Sequence, residues 1–339
     1  DQHHRGLMHA VVLVGGFGTR LRPLTNDIPK PMLPIGHVPM IERLVRRLER
    51  GGVTDVVLAL GFKPEPFMEA FPDGRCGKVS LTYAVEPEPL DTGGAIRFAA
   101  EAAGIDDTFI VANGDVMTDL DVSALVVQHR RLGADATLHL IGVDDPSAFG
   151  VVDLDEHGRV RSFVEKPPLG TEPSNLINAG TYVFEPSVLD HITPGERVSI
   201  ERDTFPRVAA AGGLFGVPTD DYWIDAGRPD LYRAANLDLL GDLRHHDRCE
   251  AIHPDAMVAA SAVVENSVVG PDVVVDAGAT VVDSVILAGA HIGAGATVRE
   301  SLVMGRVGAR AGIVRCTVGA EGVVGPAAVL TSVAVPPVD

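Results

Sequence analysis

At 339 residues the chain is longer than one hydrophobic core usually supports, so two domains are expected, a single large α/β domain being the alternative. Its 46 acidic and 28 basic residues leave a net charge of −18, which repels phosphate backbones and anionic lipid headgroups and argues against a nucleic-acid polymer or a membrane as partner. With 46% hydrophobic and 22% charged residues there is enough apolar material for packed cores and too little net charge for a disordered chain.

Between His9 and Leu240, short apolar runs alternate with longer amphipathic segments, the pattern of a mostly parallel sheet covered by helices. Ala10–Val14, Asp55–Leu60, Val79–Val85 and Thr108–Ala112 are apolar or β-branched runs and are expected as strands. Met40–Arg50, Gly94–Ala103 and Ser123–Leu132 lie between them as helices, the last opening on an N-cap serine after Asp121. Val151–Leu154, Val160–Glu165 and Gly180–Phe184 follow more closely. They are expected as mixed or antiparallel strands overlying the first sheet, in a substrate-binding lobe.

Beyond Leu240 helical periodicity disappears, no aromatic residue follows Tyr232, and valine and small residues dominate. From Val258 an aliphatic residue recurs about every sixth position, at Val264, Val269, Val275, Val281, Leu287, Ile292 and Val298, with one-residue slips, then less regularly at Val307, Ile313, Val318 and Val324. An aliphatic side chain per flat face, with Gly, Ala or Asp between, is the hexapeptide pattern of a parallel β-helix. A low-complexity tail would not hold the aliphatic position through so many repeats. The expected bounds are 9–241 for the α/β part, 242–251 for a linker and 252–332 for the β-helix.

Cys76, Cys249 and Cys316 are far apart and odd in number, so they build neither a disulfide framework nor a Cys-x-x-Cys metal site. No run of about 18 apolar residues occurs, and Asp1–Met8 lack the apolar stretch of a signal peptide, so a soluble cytoplasmic location is expected.

The chemistry starts where the first strand ends. Leu13-Val14-Gly15-Gly16-Phe17-Gly18-Thr19-Arg20 places glycines at the edge where open α/β sheets bind ligands, and they let backbone N–H groups approach a phosphate. The dinucleotide fingerprint fails because position 21 is leucine, and the Walker A motif fails because Thr19-Arg20 stands where Lys-Ser/Thr is required. What remains is a glycine loop with one cation at its end, Arg20, and a second, Lys30, held between Pro29 and Pro31; two cations and a glycine loop suit a polyphosphate.

The run from Gly15 to Thr25, with Leu21-Arg22-Pro23-Leu24 inside it, followed by Pro29-Lys30-Pro31, resembles the signature of the sugar-1-phosphate nucleotidyltransferases, the sugar-nucleotide pyrophosphorylases. The resemblance continues through Leu90-Asp91-Thr92-Gly93-Gly94, Asn113-Gly114-Asp115, Phe149-Gly150-Val151-Val152, Glu165-Lys166-Pro167, Asn178-Ala179-Gly180 and Trp223-Ile224-Asp225-Ala226-Gly227. It implies a Rossmann-like, mostly parallel nucleotidyltransferase sheet followed by a left-handed parallel β-helix. It also implies the reaction of an NTP with a sugar 1-phosphate to give an NDP-sugar and pyrophosphate.

Asp115 and Asp225 sit among apolar neighbours where a carboxylate is costly unless a cation or hydrogen bonds compensate. Hard oxygen ligands suit Mg²⁺, and the resemblance implies that these two hold it at the α-phosphate. The nucleophile is an anionic oxygen of the sugar phosphate, so no side chain needs to take a proton; Arg20 and Lys30 would neutralise charge on the nucleotide. The resemblance assigns the sugar's phosphate to Lys166 and its hydroxyls to Glu165, Asn178 and the backbone at Gly150. It assigns the nucleotide to Leu13, Gly15, Gly16, Gly18, Thr19 and Arg20 together with Glu86, Asp91, Thr92 and Gly93.

Asp91 stands where many members of this family have glycine. A carboxylate there could accept from the two donors on guanine's Watson–Crick edge, which uracil, thymine and adenine do not match. Similarity to the mannose-1-phosphate guanylyltransferases points the same way, to GTP and mannose 1-phosphate, with UTP or dTTP and glucose 1-phosphate as the alternative. A regulatory subunit without turnover is the alternative of another class, but Arg20, Lys30, Asp115 and Asp225 are all present. His253 and His291 of the repeats have no obvious partner for acyl transfer, so the β-helix is expected to serve assembly of a homo-oligomer.

Overall fold

A computed structural model describes residues 8–16, 18–61, 64–241, 243–244 and 247–338. Phe17 of the glycine-rich run and residues 242, 245 and 246 of the expected linker lie outside the described residues. The described residues form two compact units, 8–16 with 42–223 and 18–41 with 224–338.

The first unit is built on a ten-stranded sheet. Its strands are β1 (His9–Leu13), β2 (Asp55–Leu60), β3 (Arg75–Cys76), β4 (Val79–Val85), β5 (Phe109–Asn113), β6 (Ala136–Gly142), β7 (Gly150–Leu154), β8 (Val160–Glu165), β9 (Leu176–Phe184) and β10 (Leu214–Thr219). The order runs β8-β7-β9-β5-β1-β2-β4-β3, with β6 pairing β9 and β10. At its centre β4, β2, β1 and β5 are parallel. The Val, Leu, Ile and Ala runs of β2, β1 and β5 are buried on both faces, as a sheet covered by helices requires, while β4 leaves Thr82 and Val85 exposed. One covering helix, Asp91–Ala102, presses Ala95, Ile96, Ala99 and Ala100 onto Val11, Val57, Ala59 and Ala84; the Ile96 side chain alone contributes about 1.5–3 kcal/mol of burial.

Two local expectations are corrected. The strands β7, β8 and β9 do not overlie the first sheet but extend it: β9 runs antiparallel to β5, and β7 and β8 follow beyond it. Helix Phe205–Ala210 covers them, with Phe205 and Val208 in one core with Val152, Val160, Phe163, Tyr182 and Phe184. The helix Val122–Leu132 is capped by Asp121, whose carboxylate accepts from Ala124 N at 3.0 Å, while Ser123 donates to that same carboxylate. Asp outranks the serine here because it sits one residue before the first helical turn, where its oxygens face the unpaired N–H groups.

In the second unit, residues 257–335 wind into three parallel sheets of five short strands each. Val258, Val275, Ile292, Val307 and Val324 stack in one column, Val264, Val281, Val298, Ile313 and Leu330 in the next, and Val269, Ile286, Val303, Val318 and Val335 in the third. These are the inward aliphatics of a parallel β-helix. Ile286, not Leu287, fills the column, because a coil of 17 residues leaves one side a residue short of six; one coil takes only 15. Ser267, Ser284 and Ser301 form a buried ladder at one corner, each hydroxyl accepting from the backbone N–H of the coil above.

Candidate functional site

Parallel strands all end on the same edge, so the loops that follow β1, β4 and β5 meet there. Leu13 at the end of β1 is level with Asn113 at the end of β5 and with Ala59 of β2, and Leu60 is level with Val85. The edge therefore gathers Gly15 and Gly16, Glu86 and Asp115. Gly15 and Gly16 are exposed, with no heavy atom within 4 Å of where a Cβ would stand, and Gly16 has φ of +108°. Gly114 N donates to Leu13 O at 2.8 Å, and a Cβ on Gly114 would meet that oxygen at 2.8 Å; only glycine lets the chain turn so closely into Asp115. Asp115 itself is half-buried.

Glu86 is 9% exposed, and its Oε2 accepts from Leu90 N at 2.8 Å, closing the Glu86–Leu90 loop. Burial is the main cause that pushes its carboxyl above the ordinary range, and the Asp91 charge adds to it. Asp91 opens the helix with φ of +60°, a left-handed conformation, and its Oδ1 accepts from Thr92 N at 2.7 Å. Glycine adopts that φ most readily, and aspartate is among the few other residues that tolerate it. Gly93 leaves no room for a side chain, since its Cβ would come within 2.9 Å of Val198 O.

The sugar-side candidates lie on β7, β8 and β9. Gly150 pairs with Glu165 across the ladder, and a Cβ on it would meet Glu165 Oε2 at 2.8 Å and Phe163 Cζ at 2.6 Å, so the missing side chain keeps Glu165 in place. Burial first, and the Glu201 charge second, hold the Glu165 carboxyl above the ordinary range. Lys166 has φ of +49° and an exposed side chain whose Nζ lies 3.9 Å from Glu165 Oε1. In β9 the register shifts between Asn178 and Tyr182, with Gly180 at φ +78° packed against Asn113. This bulge fixes Asn178: its Oδ1 accepts from Gly180 N at 3.0 Å and its Nδ2 donates to the hydroxyl of buried Tyr182 at 2.8 Å. Trp223 closes the same side by donating from Nε1 to Ala179 O at 2.9 Å and meeting Phe149 edge-on at 5.7 Å.

The second unit holds the remaining candidates. Gly18 is left-handed at φ +58°, and its carbonyl accepts from Thr25 Oγ1 at 2.7 Å and from Leu21 N at 3.0 Å, bending Thr19–Leu21 into one helical turn. Thr19 and Arg20 are exposed on that turn. The loop folds back so that a Cβ on Gly18 would lie 3.2 Å from Lys30 Cβ. Lys30, at the head of Lys30–Met32, places Nζ 3.9 Å from Asp225 Oδ1, which also accepts from Gly227 N at 2.9 Å. Gly18, Lys30 and Asp225 are thus neighbours. The loop also meets the β-helix, where Pro23 occupies the space a side chain on Gly319 would need, at 2.8 Å, and the helix Pro229–Leu237 meets it too, Arg233 donating to Asp283 O at 3.0 Å.

Among the described residues no three His, Cys, Asp or Glu side chains gather into a metal cage. A divalent ion held by a carboxylate here would complete its shell with water and substrate phosphate, the donor set magnesium favours. Both Asp115 and Asp225 retain solvent access, the latter with 30% of its side chain exposed, which fits an ion arriving with a nucleotide. Sequence reasoning missed the segment Val198–Glu201, whose backbone laces onto Leu90, Gly93 and Gly94; no glycine or cation pattern marks it.

Comparison with known proteins agrees with this layout. The Nucleotidyl transferase family matches residues 9–241, and the GMPPB C-terminal domain matches residues 248–338. The mannose-1-phosphate guanylyltransferase of Mycobacterium tuberculosis is 42% identical over 272 residues, covering 77% of this chain and 74% of its own. The probable mannose-1-phosphate guanylyltransferase 1 of Oryza sativa subsp. japonica is 39% identical over 268 residues, covering 78% and 73%. The crystal structure of HddC from Yersinia pseudotuberculosis complexed with GMP-PN superposes with a TM-score of 0.58 at 33% identity, covering 68% of this chain and 98% of that one. The chain belongs to the nucleotidyl transferase family.

Proposed function

We infer that the chain makes GDP-mannose and pyrophosphate from GTP and mannose 1-phosphate, as the names of its relatives state for them. The observation that carries this is the gathering of Gly15, Gly16, Glu86 and Asp115 at the ends of parallel strands, in a chain 42% identical to a protein of that name. An oxygen of mannose 1-phosphate forms a bond to the α-phosphorus of GTP, the α–β bridge breaks, and its electron pair leaves with pyrophosphate. The attacking oxygen is already anionic, so no residue serves as general base.

The backbone at Leu13, Gly15, Gly16 and Gly18, with Thr19, receives the nucleotide's phosphates, and Arg20 and Lys30 neutralise their charge. Glu86, Asp91, Thr92 and Gly93 take the base. Lys166 holds the sugar's phosphate, while Glu165, Asn178 and the backbone of Gly150 accept from or donate to its hydroxyls. Asp115 and Asp225 would hold a magnesium ion, which when bound would offset negative charge at the α-phosphate. Residues 9–241 form the nucleotidyltransferase part and 242–251 the linker, and the β-helix of 252–332 extends to Val335, whose strand Ala334–Val335 completes the third sheet. A reducing cytoplasm suits its free cysteines, and among the described residues no helix is long and apolar enough to cross a membrane.

Pyrophosphate release measured for GTP, dTTP, UTP and ATP, each against mannose and glucose 1-phosphate, tests the proposal. The expected best pair is GTP with mannose 1-phosphate. A preference for dTTP or UTP with glucose 1-phosphate would replace the substrates and keep the reaction class.

A further inference from the structure

Glu201 lies outside every motif described above, yet it is bonded to one side of the site, and the turn that carries it packs against β8 on the other. Its Oε2 accepts from Thr92 Oγ1 at 2.7 Å and from Ser199 Oγ at 3.0 Å, and Thr92 Oγ1 in turn accepts from Ile200 N at 2.9 Å. Two hydroxyl donors converging on one carboxylate oxygen make strong, charge-assisted bonds. The backbone repeats the link: Gly93 N and Gly94 N donate to Val198 O at 2.8 and 3.2 Å, and Val198 N donates to Leu90 O at 3.0 Å. Residues Ile200–Thr204 form a turn of π-helix, a rare conformation that recurs at functional sites, opened by the Ser199 side chain.

On the other side, the Ile200–Thr204 turn packs against β8, the strand that ends on Glu165, the Glu201 charge adds to burial in raising the Glu165 carboxyl, and Tyr182, bonded to Asn178, shares a core with Ile200. We propose that Glu201 is a positioning residue that couples the two substrates, holding Thr92 and the base loop through its hydrogen bonds and setting the charge environment of Glu165 and Asn178. This rests on the assignment of Thr92 to the nucleotide and of Glu165 to the sugar. Coupling of this kind is reciprocal, so a change at Glu201 reaches the affinity for both substrates.

Steady-state constants for both substrates, melting temperature and the pH dependence of kcat/KM for mannose 1-phosphate test it in the full-length enzyme and in Thr92→Val, Glu201→Gln and the double variant. Thr92→Val is expected to raise KM for GTP about three- to tenfold, the loss of one or two hydrogen bonds, and to leave KM for mannose 1-phosphate nearly unchanged. Glu201→Gln is expected to raise both, and the double variant to be no worse for GTP than Glu201→Gln alone. The acid limb for mannose 1-phosphate moves to lower pH in Glu201→Gln, because Glu165 loses a negative neighbour while Lys166 and Arg202 still face it. A purely structural role would lower the melting temperature and move neither the KM values nor the limb, and that result overturns the proposal, as do additive effects of the two substitutions on GTP. Glu165→Gln in the same assays separates the two levels. If it leaves KM for mannose 1-phosphate at the wild-type value, the sugar assignment fails and the proposal with it; if it raises KM while Glu201→Gln does not, the proposal alone fails.

Discussion

Asp91 offers a way to separate what a backbone conformation needs from what a side chain recognises. At φ +60° an L-residue other than glycine carries left-handed strain of about 1–2 kcal/mol, lower for aspartate, which hydrogen-bonds locally. Asp91→Gly relieves that strain, which offsets about 0.5–1 kcal/mol of chain entropy and the loss of the bond from Thr92 N to Asp91 Oδ1, about 0.5–1.5 kcal/mol, so the melting temperature should move little. Asp91→Ala keeps the strain and also loses the bond from Thr92 N to Asp91 Oδ1, worth about 0.5–1.5 kcal/mol, so it should be the less stable variant. If the carboxylate accepts guanine's donors, Asp91→Gly should lower kcat/KM for GTP by about 1–3 kcal/mol, roughly 5- to 150-fold, and lower that for UTP or ATP much less. The assay is kcat/KM for the four nucleotides at saturating mannose 1-phosphate, in both variants. An Asp91→Gly enzyme with its GTP preference intact would show that aspartate is there for the backbone alone, and would return base selection to Glu86 and the loop's backbone groups.

Other consequences follow from the same geometry. Asp115→Asn and Asp225→Asn each remove a negative ligand while keeping shape, so turnover should fall by orders of magnitude at unchanged melting temperature; near-normal turnover in both would refute the metal assignment. Gly319→Ala drives a Cβ to 2.8 Å from Pro23 Cβ and should cost about 1–3 kcal/mol while lowering kcat, although Gly319 lies in the β-helix; wild-type melting and kinetics would show that the contact does not matter. Because burial raises the Glu86 carboxyl above its ordinary value of 4.5, the native state binds that proton more tightly than the unfolded chain, so this group's contribution to stability falls as pH rises through that value. Glu86→Gln, which still accepts from Leu90 N, should therefore gain stability relative to wild type between pH 4 and 7 in urea unfolding, and parallel curves would contradict this.

Much of the candidate site's layout was legible because glycine, proline and charge carry strong local rules. The glycine run after β1, the Pro-Lys-Pro segment and the strand-end Asp115 lie where apolar periodicity stops. The columns of the β-helix were visible as recurring aliphatics, and the slips between them are the short side of each coil. What was not legible depends on partners distant in sequence. Asp91 looked like a departure in side-chain chemistry, and only its φ showed a conformational cause. Glu201 was invisible because its role comes from Thr92, more than a hundred residues away. The pairing of β7 to β9 into the first sheet is likewise a choice of strand partner, which alternation of residues along one strand does not encode.

The central claim is tested most directly by following the phosphorus atoms. With GTP labelled at the α-phosphorus and mannose 1-phosphate in excess, the label should appear in GDP-mannose; with GTP labelled at the γ-phosphorus it should appear in pyrophosphate, the two products forming in equal amounts. Transfer of the α-label to the protein or to GMP, release of the γ-label as orthophosphate, or no GDP-mannose from this pair of substrates would contradict the account.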